Sequence, residues 1–100
     1  MADHELNGVA QERRLRTEVP GPRSLELLAR RETAVARGVG ITLPAFISQA
    51  AGGILVDVDG NHLIDFGSGI AVTGVGNAAP RVAAAVREQV GRFTHTCFMI

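Results

Sequence analysis

A tight turn between two apolar runs is the feature that most constrains how this chain can fold. Residues 54–58 (ILVDV) and 62–66 (HLIDF) are rich in β-branched and apolar side chains, and the tripeptide DGN at residues 59–61 separates them. Asp, Gly and Asn tolerate the positive φ angles that tight hairpin turns require. The sequence therefore predicts an antiparallel hairpin. Alternate residues of its first strand form one apolar face: Ile54, Val56 and Val58.

A third strand extends this hairpin. Residues 45–50 (AFISQA) are short and partly β-branched, and a Gly52-Gly53 turn follows them. The three segments predict a three-stranded antiparallel meander. A sheet of three strands needs another layer on its apolar face, and the helices of this chain can cover only part of it.

Two helices are predicted, one before the meander in the sequence and one after it. Residues 24–37 form about four turns, with Ser24 as the N-cap and Gly38 as the C-terminal stop. A second helix begins after Asn77, its predicted N-cap, with Pro80 in the first turn where proline is tolerated. Its apolar stripe recurs at spacings of four, four and three residues: Val82, Val86, Val90 and Phe93.

The remaining segments lack a regular period. Residues 1–19 are polar and charged and are interpreted as a loose N-terminal leader. Residues 67–76 form a glycine-spaced apolar loop, and residues 94–100 end the chain on an apolar run, as if inside an element. We therefore expect a leader over 1–19 and one folded segment over 20–100 that is α+β within its own length.

The charges of the chain exclude several classes of function. All ten basic residues are arginines, and ten acidic residues balance them to a net charge of zero. Without a basic excess, a nucleic-acid-binding surface is not expected. The absence of lysine excludes both a Schiff-base amine and a P-loop from this chain.

The cellular compartment is inferred from weaker features of the sequence. The single cysteine, Cys97, cannot form an internal disulfide, which is typical of a reducing compartment. Residues 38–56 carry no charged side chain but are interrupted by Pro44 and by polar residues, so no membrane span is expected. Acidic residues in the first twenty positions argue against a secretory signal. We expect a cytoplasmic protein with no membrane partner.

Three groups of residues are candidates for catalysis or ligand binding. Gly74, Gly76 and Ala79 match G-x-G-x-x-A before a helix, which favours either a small nucleotide-binding module or, more simply, glycines that let a loop turn and pack. His95 and Cys97 are spaced for a thiolate pair or half a metal site, although a packing role is the simpler interpretation. The acids Asp57, Asp59 and Asp65 allow acid–base chemistry or the capping of backbone amides near turns.

Several short segments of the sequence resemble the motifs of a known protein family. Residues 57–65 (DVDGNHLID) are similar to the D-x-[DE]-G-x-x-[YL]-[LI]-D hairpin of class III aminotransferases, which depend on pyridoxal 5'-phosphate (PLP). Residues 20–24 (PGPRS), 69–72 (GIAV) and 94–98 (THTCF) look more specifically like the 4-aminobutyrate branch of that family. The resemblance covers residues 19–100.

This resemblance implies that the chain is a fragment of an α/β protein of fold-type-I architecture. Such proteins form homodimers that move the amino group of 4-aminobutyrate to 2-oxoglutarate, giving succinate semialdehyde and glutamate. The alternative is another class III ω-aminotransferase, of the ornithine, acetylornithine or β-alanine type. Residues 20–100 would then be the N-terminal part of the small domain, leading into a large domain that this chain lacks. Ile70 would line the substrate pocket, and Met99 would lie near the site.

The resemblance places the catalytic lysine and the phosphate-binding loop beyond residue 100. No catalytic, cofactor-binding or metal residue is therefore expected within this chain. The fragment is predicted to be inactive alone.

Overall fold

The computed structural model describes residues 5–100. In chain order, its elements are β1 (Glu5–Leu6), β2 (Val9–Ala10), α1 (Pro22–Ala34), β3 (Ile47–Ala51), β4 (Ile54–Asp57), β5 (His62–Ile64), α2 (Ser68–Ala71) and α3 (Pro80–Val90). The predicted combination of helices and an antiparallel sheet is confirmed.

The predicted meander forms the centre of the fold, with strand order β3-β4-β5 and both pairings antiparallel. Ala51 pairs with Ile54 across the Gly52-Gly53 turn, and Val56 pairs with His62 across the second turn. The first strand begins two residues later than predicted. The third strand ends at Ile64, because the Asp65 side chain turns to bind the next segment.

The expectation of a loose leader does not hold for residues 5–19, while residues 1–4 lie outside the described part of the chain. Strands β1 and β2 pair in an antiparallel hairpin, and Val9 is almost fully buried. Arg14 pairs with His62 through two backbone hydrogen bonds of 3.1 and 2.7 Å. Backbone pairing, the buried Val9 and the Gln11 side chain, which donates to Ala51 O, hold this segment in place, and such contacts leave no apolar period to detect.

Helix α1 is displaced towards the N-terminus relative to its prediction. It begins at Pro22 and ends at Ala34, so Ser24 lies buried inside the first turn and is not the N-cap. The capping carboxylate comes from Asp59, whose two oxygens accept hydrogen bonds from the amides of Arg23 (2.8 Å) and Ser24 (3.0 Å). Val35 adopts extended dihedral angles, and the helix therefore stops before Gly38.

The core is small and lies between the N-terminal hairpin and the meander. It consists of Val9, Ala51, Ile54 and Val56. Helix α3 carries the three valines of its predicted stripe, whereas Phe93 lies beyond the end of the helix. All four residues remain more than half exposed. Across residues 5–100, no helix has the length and hydropathy needed to span a membrane.

Candidate functional site

The turn after β4 uses its acids for structure. Asp57 is buried, and its Oδ1 accepts hydrogen bonds from the amides of Asp59 (2.9 Å) and Asn61 (2.8 Å). The Asn61 amide group donates to Asp57 Oδ2 at 2.8 Å and to Thr17 Oγ1 at 2.9 Å. Asn61 Oδ1 accepts from the amides of Arg16 and Thr17. All four hydrogen-bonding positions of the Asn61 side chain are therefore occupied.

Asp59 stands at the junction of this turn with α1. Partial desolvation works to raise the pKa of Asp59, but the Arg23 and Ser24 amides and the Arg23 charge outweigh it and hold the pKa below 3.8. A β-carbon added to Gly21 would lie 2.5 Å from Asp59 Cγ, so only glycine allows this approach. Asp57 and Asp59 thus cap backbone amides, which was the simpler of the two sequence interpretations.

The loop at residues 67–77 is closed at its base by polar contacts. Asp65 Oδ1 accepts a hydrogen bond from the Ser68 amide (2.8 Å), and Asp65 Oδ2 accepts one from Asn77 Nδ2 (2.9 Å). The Asn77 and Gly52 backbones exchange two hydrogen bonds of 2.8 and 2.9 Å. Asn77 is therefore an anchor for the loop, and the predicted role as N-cap of α3 is wrong, since Ala79 takes that position.

The same contacts hold Asp65 ionised. The hydrogen bond from Asn77 and then the one from the Ser68 amide lower the pKa of Asp65 below 3.8, outweighing partial desolvation. The sequence pattern indicated Asp65 only as one of three acids and did not predict its hydrogen bond with Asn77. No local sequence signal marks this pairing, because the two residues lie 12 positions apart and meet through their side chains.

Within this loop, α2 is a single turn with left-handed backbone. Ser68, Gly69, Ile70 and Ala71 have φ angles of 48°, 64°, 63° and 62°. A left-handed conformation costs about 1–2 kcal/mol for each residue that carries a β-carbon, and it is least expected at a β-branched one. Ile70, the predicted substrate contact, sits in this turn with its side chain 94% exposed.

The other sequence candidates lie after α3. Met99 is 76% exposed in the C-terminal segment, and neither it nor Ile70 is covered by the rest of the described chain. Cys97 is a free, exposed cysteine. Within residues 5–100, no group of three or more His, Cys, Asp or Glu side chains is arranged to hold a metal ion.

Gly74, Gly76 and Ala79 do not frame a nucleotide-binding turn. The three-stranded sheet is wholly antiparallel, whereas the dinucleotide fingerprint belongs to a parallel βαβ unit. Helix α3 also begins with Pro80, which has no amide hydrogen to offer a phosphate. Gly76 has a φ of 90°, and an added β-carbon would lie 3.2 Å from Gly52 Cα. This glycine allows the close approach of two backbones.

The described residues do not fit PLP by themselves. An anionic phosphate needs amide donors that are free to bind it. In the glycine loop, the amides of Ile70, Val72, Thr73 and Gly76 all donate to carbonyl groups of the loop itself. No lysine is present in the sequence. These four amides are therefore not free to bind a phosphate, and the chain supplies no lysine to bind the cofactor covalently.

An open groove of about 850 Å³ runs along α3. Val75, Pro80, Val82 and Val86 contribute to its largely apolar lining, and Arg81 supplies its charged side chain. This surface offers apolar contact and no acid or base for catalysis.

Comparison with known proteins identifies the family. The profile of the family "Aminotransferase class-III" matches residues 34–100. The 4-aminobutyrate aminotransferase of Mycobacterium leprae is 63% identical over 95 residues, which are 95% of this chain and 21% of that relative. The 5-aminovalerate aminotransferase DavT of Pseudomonas putida is 47% identical over 74 residues, 74% of this chain and 17% of that protein.

The fold agrees with a solved structure. The ornithine aminotransferase of Toxoplasma gondii, crystallized in the presence of oxidized glutathione and with PLP at partial occupancy in its active site, matches with a TM-score of 0.65 and 28% identity. The match covers 77% of this chain and 18% of that one.

The chain spans about a fifth of the length of the curated relatives that it matches. The family profile covers most of the chain, and the Mycobacterium leprae relative matches nearly all of it. The chain therefore belongs to the class-III aminotransferase family.

Proposed function

We propose that the enzyme containing this sequence transfers the amino group of 4-aminobutyrate to 2-oxoglutarate, using PLP. The observation that carries this proposal is the 63% identity to a 4-aminobutyrate aminotransferase over 95% of the chain. The 5-aminovalerate aminotransferase is less similar, at 47% over 74%. A homodimer in the cytoplasm is part of the same proposal.

In this proposal, Ile70 contacts the amino donor. The substrate 4-aminobutyrate has an apolar stretch of three methylene groups between its charged ends, and an aliphatic side chain suits that stretch. Ile70 is exposed on its turn and is free to make such a contact. Met99 is the second proposed contact and is also exposed and apolar.

The cofactor and the catalytic lysine are proposed to be held by residues outside this chain. Without lysine, the 100-residue chain alone should show no amino transfer, with or without added PLP. Its own contribution is the substrate-facing loop and the sheet that supports it.

A second candidate is an ω-aminotransferase for a different donor. The similarity to a 5-aminovalerate aminotransferase favours a donor one methylene longer, and the structural match to an ornithine aminotransferase favours a diamino acid. 4-Aminobutyrate, 5-aminovalerate and ornithine all carry a terminal amine on a flexible chain. The preference of the enzyme among these donors therefore depends on the length of its substrate pocket.

The test uses an enzyme of the relatives' length that contains this sequence. Amino transfer is measured with 4-aminobutyrate, 5-aminovalerate and ornithine, and the highest kcat/KM should belong to 4-aminobutyrate. Ile70→Phe should raise KM for 4-aminobutyrate roughly tenfold or more, because an enlarged pocket side chain excludes substrate. Cofactor absorbance should be unchanged. Ile70→Val is the matched control, with KM within about threefold of wild type.

Two results would contradict the proposal. A preference for ornithine or 5-aminovalerate would replace the donor while keeping the family. Equal losses of substrate binding and cofactor retention in Ile70→Phe would show that Ile70 packs in the protein interior of the longer enzyme and does not contact substrate.

A further inference from the structure

The left-handed turn Ser68–Ala71 needs an external restraint. Three of its residues carry β-carbons and have φ angles between 48° and 63°. Inside the turn, Ser68 O accepts hydrogen bonds from the amides of Val72 (2.8 Å) and Thr73 (3.0 Å). A right-handed turn can make similar internal bonds without the steric cost, so these bonds do not explain the handedness.

The restraint at the base of the loop is the pair Asp65 and Asn77. Asp65 follows β5, and its carboxylate binds the Ser68 amide, the first amide of the turn. Asn77 ends the loop, and its side chain binds the other oxygen of the same carboxylate. Asn77 Nδ2 also lies 3.3 Å from Gly52 O, so the pair is tied to the β3–β4 turn.

We propose that Asp65 and Asn77 are positioning residues, a carboxylate–amide pair that closes the glycine loop and holds the Ile70 turn left-handed. The part of this inference that concerns substrate rests on the proposed function, in which Ile70 contacts the amino donor. The part that concerns the turn stands on the geometry alone.

The negative charge of Asp65 supports the proposed role of the Asp65–Asn77 pair. Hydrogen bonds from Asn77 and the Ser68 amide lower the pKa of Asp65, so both acceptor oxygens are ionised at neutral pH. Hydrogen bonds to an ionised acceptor are stronger than those between neutral groups. Asp65 forms no salt bridge in the described chain, so these amide donors stabilise its charge.

The pair can be tested by exchanging its members. In Asp65→Asn, the new amide group can pair with Asn77 only if the Asn77 amide flips and turns its oxygen towards Gly52 O. In Asn77→Asp, two carboxylates face each other. The double variant Asp65→Asn/Asn77→Asp restores one donor opposite one acceptor, and the side-chain carbonyl at position 65 can still accept from the Ser68 amide. It loses the contact of Asn77 Nδ2 with Gly52 O, so the expected recovery is partial. A merely structural role at two separate places would not give such a rescue.

The readout is nuclear magnetic resonance of the 100-residue chain. A residue with positive φ gives a strong nuclear Overhauser effect (NOE) between its own amide and α protons. We expect strong signals at Ile70 and Ala71 in the wild type, weak ones in both single variants, and partial recovery in the double variant. Asp59→Asn is the matched control and should leave these signals strong.

The turn inference is overturned if the wild type gives weak signals at Ile70, if either single variant keeps them strong, or if the double variant stays as weak as the singles. It is also overturned if Asp59→Asn weakens them equally, since the effect would then be global.

A second measurement separates this inference from the proposed function. In an enzyme of the relatives' length, Asp65→Asn should raise KM for 4-aminobutyrate about fivefold with little change in kcat, because misplacement of a contact weakens substrate binding. In an Ile70→Ala background, the same change should have little further effect. An unchanged KM overturns the positioning role even if the enzyme uses 4-aminobutyrate. An enzyme inactive towards 4-aminobutyrate contradicts the proposed function, and the NOE experiment still decides the pair.

Discussion

The turn at residues 57–61 and the loop at residues 67–77 are both organised by aspartates, but they use them differently. In the turn, Asp57 and Asn61 are buried and bind each other, and the Asn61 side chain also binds Arg16 and Thr17 of the N-terminal segment. In the loop, Asp65 and Asn77 bind only at the base, while Ile70 and its neighbours remain exposed. The turn therefore stabilises the fold, and the loop presents a surface.

The same contrast continues into the apolar side chains. Val56 in β4 is 6% exposed, whereas Val86 in α3 is 59% exposed. Both valines belong to apolar faces that the sequence predicts. Only the apolar face of β4 is buried by other residues of the described chain. A pattern of apolar residues identifies the face that can be buried, and the partner that buries it must be found separately.

The largest effect should come from breaking the turn with Asn61→Ala. Asn61 is fully buried and makes four side-chain hydrogen bonds, including two to the Arg16 and Thr17 amides. Its loss leaves buried donors and acceptors without partners, so the free energy of unfolding should fall by about 3 kcal/mol or more. Urea denaturation of the wild type and the variant measures the difference.

Asn7→Gly is the matched control for this substitution, because Asn7 has a φ of 50° in the β1–β2 turn and glycine tolerates that conformation. The Asn7 side chain is exposed and makes one hydrogen bond, to Ala78 O at 3.0 Å. Its removal should change the free energy of unfolding by less than about 1 kcal/mol. Similar losses in the two variants would contradict the assignment of stability to the turn.

A smaller effect should separate the two valines. Val56→Ala removes two buried methyl groups and leaves a cavity, so we expect a loss of about 2 kcal/mol. Val86→Ala removes exposed methyl groups from a helix, where alanine is the better helix former, and should stay within about 0.5 kcal/mol of wild type. A comparable loss in Val86→Ala would show that α3 packs against another part of the chain in solution.

Local signals explain what the sequence could predict. The DGN tripeptide between apolar runs located the meander, and the valine spacing located α3, because turn chemistry and periodicity act over a few residues. The cap of α1 could not be found this way, since Asp59 reaches it from 36 positions away. Local reasoning chose Ser24, the nearest side chain of the right type.

The candidate site was predicted less completely. Ile70 entered only through resemblance to a family, and the left-handed turn that carries it has no local signal, because isoleucine and alanine do not favour positive φ. The turn depends on Asp65 and Asn77, which lie 12 positions apart and bind through side chains. Their pairing is a tertiary fact that composition and period do not contain.

The smallest expected effect is the dependence of stability on pH through Asp59. Its pKa in the folded chain lies below the ordinary value of 3.8, so the folded state releases this proton more readily than the unfolded state does. The resulting stabilisation is complete above the unfolded pKa and is lost as the pH falls through the folded one. Urea midpoints measured between about pH 6 and about pH 3 should therefore decline at the acid end.

Asp59→Asn should be less stable at neutral pH and decline less steeply, because it removes one group whose proton binding differs between the two states. Asp65→Asn is the parallel variant for the loop, since the pKa of Asp65 is lowered in the same direction. If Asp59→Asn follows the wild-type pH profile in parallel, the carboxylate does not cap α1 in solution, and the contrast between the turn and the loop loses one of its supports.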